Sequence, residues 1–210
     1  MNQLIIVCGY GLVGDKYRPS WQMRALKEYY TKTAEVIEAF IRSQLKLQPN
    51  QKFSVVFTGG FTNSYYYDVS ESCTARSYFK DCIVTKLPLL NYYYLQGRLE
   101  LLIEEESTKT YENLIEATKI KSFENYVYII GSKTRCLKLK AISAVYFRQY
   151  DVVGINHSVL DYKDKNPLIQ LMRFIKPFLS KNFYKRQNEI PFHHRGSIVL
   201  ELNNGSVNFK

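Results

Sequence analysis

The densest collection of chemically useful side chains in this sequence is one ten-residue run, Glu104-Glu105-Glu106-Ser107-Thr108-Lys109-Thr110-Tyr111-Glu112-Asn113. Carboxylates can read hydrogen-bond donors or move protons, which makes Glu104 and Glu112 the candidates for acid–base work. Ser107, Thr110 and Asn113 carry hydroxyl and amide groups able to hold a polar ligand. Local structure competes with that use. Ser107 stands where a helix should begin, and a serine oxygen there accepts from a backbone N–H two or three residues on. A capping box would place Glu or Gln three positions after the cap, where Thr110 stands instead. Capping therefore accounts for Ser107 and leaves Glu112 and Asn113 as the informative pair. Asn113 would lie near the helix N-terminus, where free N–H groups favour an anion.

Other candidates follow strand-like runs. Gly9-x-Gly11-x-x-Gly14 has the letters of the dinucleotide fingerprint. Arg18-Pro19 delays the helix, however, and no acidic residue ends the second strand to meet a ribose. The alternative is a glycine turn where backbones pass closely. Gly59-Gly60 has the same two uses: presenting N–H groups to an anion, or simply turning. Ser70-Glu71 and Ser132 to Arg135 mark helix starts. Glu71 complements the positive helix end, whereas Arg135 is a cation where the dipole least favours one, which points to a partner anion. His157 could move protons or be merely exposed. His193-His194 read as surface. The tyrosine runs, with basic neighbours such as Arg98, could stack on bases or pack. Nucleic acid is the less favoured partner. Cys8, Cys73, Cys82 and Cys136 show no Cys-x-x-Cys spacing and there are 3 histidines, so no metal site is expected. Cys8 reads as a small buried hydrophobe.

The elements that must position these residues alternate. Strands are predicted at 4–8, 53–57, 99–103, 126–130 and 150–155. Helices are predicted at about 20–45, 70–82, 108–121 and 131–147, with an amphipathic helix marked by Leu168, Leu171, Met172, Ile175 and Phe178. Residues 85–97, with Pro88 and Tyr92-Tyr93-Tyr94, read as a connection with room for a short helix. The pattern makes a three-layer α/β sandwich around a mostly parallel sheet of about five strands. Right-handed crossovers put all strand C-termini on one edge, where ligands bind in such sheets. A single domain over 1–180 is expected, with 181–210 as a polar C-terminal extension containing one strand near 197–202.

Bulk properties set the boundary conditions. The 210 residues suit one domain, and 46% hydrophobic with 15% aromatic residues can build a sizeable core. A net charge of +10 favours anionic partners, but no run of five basic residues concentrates it. No signal peptide or membrane span is legible, and a cytoplasmic location with reduced thiols is the expectation. The oligomeric state is left open.

The segment Glu104-x-x-Ser107-x-Lys109-Thr110-x-Glu112-Asn113 resembles the YdcF/SanA/ElyC-like family of α/β proteins, which shows Glu-x-x-Ser-x-Asn-Thr-x-Glu-Asn after a strand. Lys109 replaces the asparagine; the other five named positions agree. The order of neighbouring motifs also fits over roughly residues 3–156: strands ending in glycines, then Ser70-Glu71, then a Ser-x-x-His-x-x-Arg-like element. That element reads Ser132 to Lys138, with Arg135 where histidine is usual and Lys138 where arginine is usual. Arg24 or Lys32 would supply the family's first-helix basic residue. The resemblance implies a Rossmann-like fold with a polar pocket at the strand ends. It associates one branch with S-adenosylmethionine and others with envelope maintenance, without giving a reaction. Many relatives carry a membrane anchor, which is not expected here. Loss of the histidine weakens any mechanism using it as a general acid or base. The expected partner is a small anionic ligand, nucleotide-like or S-adenosylmethionine. The alternative is a non-catalytic module whose basic, tyrosine-rich surface meets a macromolecule or anionic membrane.

Overall fold

Five apolar runs pair in parallel to make the centre of the molecule. A computed structural model of the chain describes residues 2–9, 20–60, 70–123, 126–156, 167–196, 200–203 and 206–209. The strands are β1 (Asn2–Cys8), β2 (Lys52–Thr58), β3 (Leu99–Glu104), β4 (Val127–Ser132) and β5 (Tyr150–Ile155). They form one all-parallel sheet in the order β3-β2-β1-β4-β5. β1, β2 and β4 are buried almost throughout and hold the middle, while β3 and β5, half-buried, form the edges. Continuous Val/Ile/Leu-rich runs are what a strand covered on both faces requires.

Period-two alternation assigns each side chain to a layer. Ile5 and Val7 face a cluster formed with α1 (Ser20–Leu47), α2 (Glu71–Lys86) and α3 (Pro88–Leu95). Leu4, Ile6 and Cys8 face the opposite cluster, formed with α4 (Thr110–Ile120) and α5 (Cys136–Tyr146). The result is a Rossmann-like three-layer sandwich.

The short helix allowed for in residues 85–97 is α3. Pro88 occupies the first turn of α3, where its missing N–H costs nothing and its fixed φ suits a helix. Gly97, at φ +64°, ends the segment and turns it into β3. Beyond β5 come α6 (Pro167–Ile175), a 3-10 turn (Lys176–Leu179) and α7 (Lys181–Lys185). Phe183 and Ile190, both fully buried, join the α4–α5 layer, and the Tyr146 hydroxyl donates to the Phe183 carbonyl at 2.9 Å. The strand expected near 197–202 is found at β6 (Leu200–Asn203), paired antiparallel with β7 (Ser206–Phe209). Among the described residues no helix is long and apolar enough to cross a membrane.

Candidate functional site

The strand order reverses at β1, which has β2 on one side and β4 on the other. In doubly wound sheets the crevice outside the strand ends at such a reversal is where ligands bind. Arg135 spans it. It closes the 3-10 turn (Lys133–Arg135) after β4, and its Nη1 donates to the Gly9 carbonyl at 3.2 Å. The Gly9 N–H donates to the Thr58 carbonyl at 3.0 Å, so the ends of β4, β1 and β2 are tied in series. Beneath them the Tyr29 hydroxyl of α1 donates to the Cys8 carbonyl at 3.1 Å. Burial pushes the Cys8 thiol up to about 12, despite the nearby Arg135, so it stays an unreactive thiol at neutral pH.

The β1–β2–β3 side of this edge is closed on itself. The Gly59 N–H donates to the Glu104 carbonyl at 3.2 Å and the Gly60 N–H to the Ser107 carbonyl at 2.9 Å. The carbonyls of Gly60 and Gly59 accept from the Glu71 and Ser72 N–H groups at the start of α2. Both glycines therefore serve close approach: their N–H groups point into the protein. Gly59 has φ +127°, and a Cβ there would meet the Glu71 carboxylate at 2.9 Å. A Cβ on Gly9 would meet Thr58 O at 2.6 Å and the same carboxylate at 2.8 Å. Glu71, 4% exposed, thus fills the space that two glycines leave open. Ser70 caps α2 as expected, accepting from the Cys73 N–H at 3.1 Å, and its hydroxyl also donates to Glu105.

The Glu104 to Asn113 segment differs from its expected form in one instructive respect. Ser107 does not cap α4; Lys109 occupies the N-cap position and its side chain makes no cap bond. Glu104, 1% exposed, draws the Glu106 and Ser107 N–H groups onto Oε1, both at 2.7 Å, and the Ser107 hydroxyl onto Oε2. A carboxylate taken out of water needs such donors. Meeting that need holds Ser107 in the turn and delays the helix. Asn113 reaches back from the first turn of α4 to the Ser107 hydroxyl. Glu112 is the residue that serves the helix start: its Oε2 accepts from the Thr108 N–H and hydroxyl, both at 3.2 Å, and its Oε1 pairs with Lys109 at 2.9 Å. Burial acts against the charged carboxylate of Glu112, but the bonds from Lys109 and Thr108 outweigh it and hold the group below the usual range.

Among the described residues, the β4–β5 side is cationic and carries exposed side chains. The Ser132 hydroxyl, at the buried end of β4, lies 2.9 Å from that of Thr134. Lys133 and Thr134 are exposed and Arg135 is half-buried. Lys32 of α1 donates to the Asn156 carbonyl, at the end of β5, at 2.9 Å and pairs with Glu28. Lys109 is balanced by Glu112. Among the described residues no carboxylate pairs with Arg135, which donates instead to the neutral Gly9 carbonyl.

Of the expected site residues, Gly9, Gly59, Gly60, Glu71, Glu104, Ser107, Thr110, Glu112, Asn113, Ser132 and Arg135 all lie along the strand C-terminal edge or on the turns that leave it. Gly11, Gly14 and His157 lie outside the described residues. Glu105 was not singled out in the sequence, where it looks like one more solvated carboxylate; only its closeness to Ser70 gives it a role. His194 is not a surface residue: it is 7% exposed and its ring lies 4.6 Å from that of Phe123, while His193 stays exposed. In the tyrosine run, Tyr93 stacks under Arg98 and Tyr94 under Lys80. All four cysteines are free, and the described residues contain no cluster suited to a metal ion. No family model, curated protein or solved structure matches the chain.

Proposed function

We propose that this protein binds a small anionic, nucleotide-like ligand at the C-terminal edge of its sheet, with S-adenosylmethionine among the candidates for its carboxylate end. The observation that carries this is Arg135 at the β1/β4 reversal, a guanidinium with no carboxylate partner among the described residues. It sits ahead of α5, where the helix dipole opposes a cation, so an arriving anion would relieve both effects. Ser132 and Thr134 would add hydroxyl donors from the same turn. Asn113 and Thr110 would face the ligand from the start of α4.

The two candidate acid–base carboxylates, Glu104 and Glu112, support binding better than catalysis. Glu104 already accepts three hydrogen bonds and Glu112 anchors its own helix, so both carboxylates are engaged within the protein. The proposal therefore includes no reaction. The resemblance of the Glu104 to Asn113 segment to the YdcF/SanA/ElyC-like family supports the same pocket.

Calorimetric titration with ATP, AMP, inorganic phosphate and S-adenosylmethionine tests it. At least one should bind the wild type, and Arg135→Gln should weaken that ligand by about tenfold or more, the loss of a charge-assisted pair. Equal binding by the variant, or binding by none of the four, would overturn the proposal.

A further inference from the structure

The helix after β5 and the turn that continues it carry an apolar stripe that the described residues leave exposed. Leu171, Met172, Ile175 and Leu179 recur at helical spacing and are 54%, 73%, 39% and 79% exposed. The segment is nevertheless fixed to the molecule. Pro177 is buried, and Phe174 lies 5.8 Å from Phe178, which lies 5.1 Å from the core residue Phe183. Aromatic anchors hold one side, and the aliphatic stripe faces water.

Charge indicates what the stripe meets. Between Pro167 and Lys185 the sequence has four basic residues, Arg173, Lys176, Lys181 and Lys185, and no acidic residue, while the next basic residue, Arg186, is paired with Glu116 and Glu189. Lys176, Lys181 and Lys185 are exposed. A short helix with an exposed aliphatic face, followed directly by a turn and a helix that carry exposed lysines, fits the boundary between headgroups and acyl chains, where apolar insertion and attraction to anionic lipid act together. The +10 charge of the whole chain acts in the same direction.

We infer that the Pro167–Lys185 segment docks this protein peripherally on an anionic lipid surface. Leu171, Met172, Ile175 and Leu179 enter the interface and Lys176, Lys181 and Lys185 meet headgroup phosphates. This surface is independent of the ligand site at the strand ends.

Flotation of the full chain with vesicles tests it. The wild type should float with equimolar phosphatidylcholine and phosphatidylserine and stay behind with phosphatidylcholine alone, with added salt weakening the association. Leu171→Glu with Met172→Glu should reduce bound protein by about tenfold or more, and Leu179→Glu alone should act in the same direction. Lys176→Gln and Lys181→Gln should each cost about fivefold. Circular dichroism checks that each variant is folded, and Leu179→Glu carries the test if the double variant is not. Arg135→Gln should float like the wild type. Three results would overturn the inference: no flotation with the mixed vesicles, flotation insensitive to the aliphatic substitutions, or a lipid-free dimer in sedimentation that the same substitutions dissolve.

Discussion

Two halves of one sheet edge use polar residues in opposite ways. On the β1–β2–β3 side, Glu71, Glu104, Ser70, Ser72 and Ser107 are all buried, and Glu104 and the two serines flanking the loops have their partners inside the protein. On the β4–β5 side, Lys133 and Thr134 are exposed and Arg135 reaches a neutral carbonyl. A buried polar group without a partner is costly, so satisfaction on the first side is a condition of folding. On the second side Lys133 and Thr134 are exposed to water, which supplies partners at no such cost and can be displaced by a ligand. The denser collection of motif residues therefore builds a wall of this edge, and the sparser, cationic side is where the proposed anion would be held.

The largest effect separating the halves is steric. Gly60→Ala would drive a Cβ into the Glu105 carbonyl and to 3.0 Å from that of Ser107, two backbone atoms that cannot swing aside. It should cost about 3 kcal/mol or prevent folding, measured by urea denaturation. A cost under 1 kcal/mol would mean that the closed half is looser than its contacts imply.

Next comes Ser107→Ala, which removes a donor from buried Glu104 and a partner from Asn113. The expected loss is about 1–3 kcal/mol, the range for a buried group left short of a hydrogen bond. Arg135→Gln, by contrast, should change stability by less than about 0.5 kcal/mol while weakening anion binding by about tenfold or more. If instead Arg135→Gln destabilises more than Ser107→Ala, the contrast between the halves fails.

Between these lies a pH effect. The folded-state pKa of Glu112 is depressed, so its contribution is fully present above the ordinary carboxylate range and is lost as pH falls through the depressed value. Glu189, held down to about 2 mainly by Arg186, loses its contribution over an overlapping acid range. The difference between wild type and Glu112→Gln isolates the first. That difference should be about 0.5–1 kcal/mol at pH 7 and shrink toward zero below pH 4. A difference constant with pH would show that the Lys109 and Thr108 bonds do not depend on the carboxylate charge.

Much of the fold is legible without coordinates. All five parallel strands fall on the expected runs within one or two residues, because a strand covered on both faces has to be continuously apolar. Ser70 at the start of α2 is legible for a similar reason: a cap depends on three or four neighbouring residues. The Pro88 helix was harder, since proline marks both a helix start and a break. The aliphatic stripe of α6 was visible as amphipathic, but periodicity does not say whether such a face is covered.

Ser107 and Glu112 show where local reasoning stops. By itself, the sequence determined that a polar turn follows the third strand and that carboxylates, hydroxyls and an amide cluster there. Only the tertiary structure decided that Ser107 binds Glu104 and Asn113 while Glu112 secures the helix, the reverse of the roles that spacing favoured. The physical reason is burial. At the end of β3, Glu104 is enclosed by Gly59, Gly60 and the turn itself, and a carboxylate there gains more from nearby donors than an exposed helix end gains from a serine cap. That enclosure is made by residues some 45 positions apart in the chain, and local spacing does not encode it.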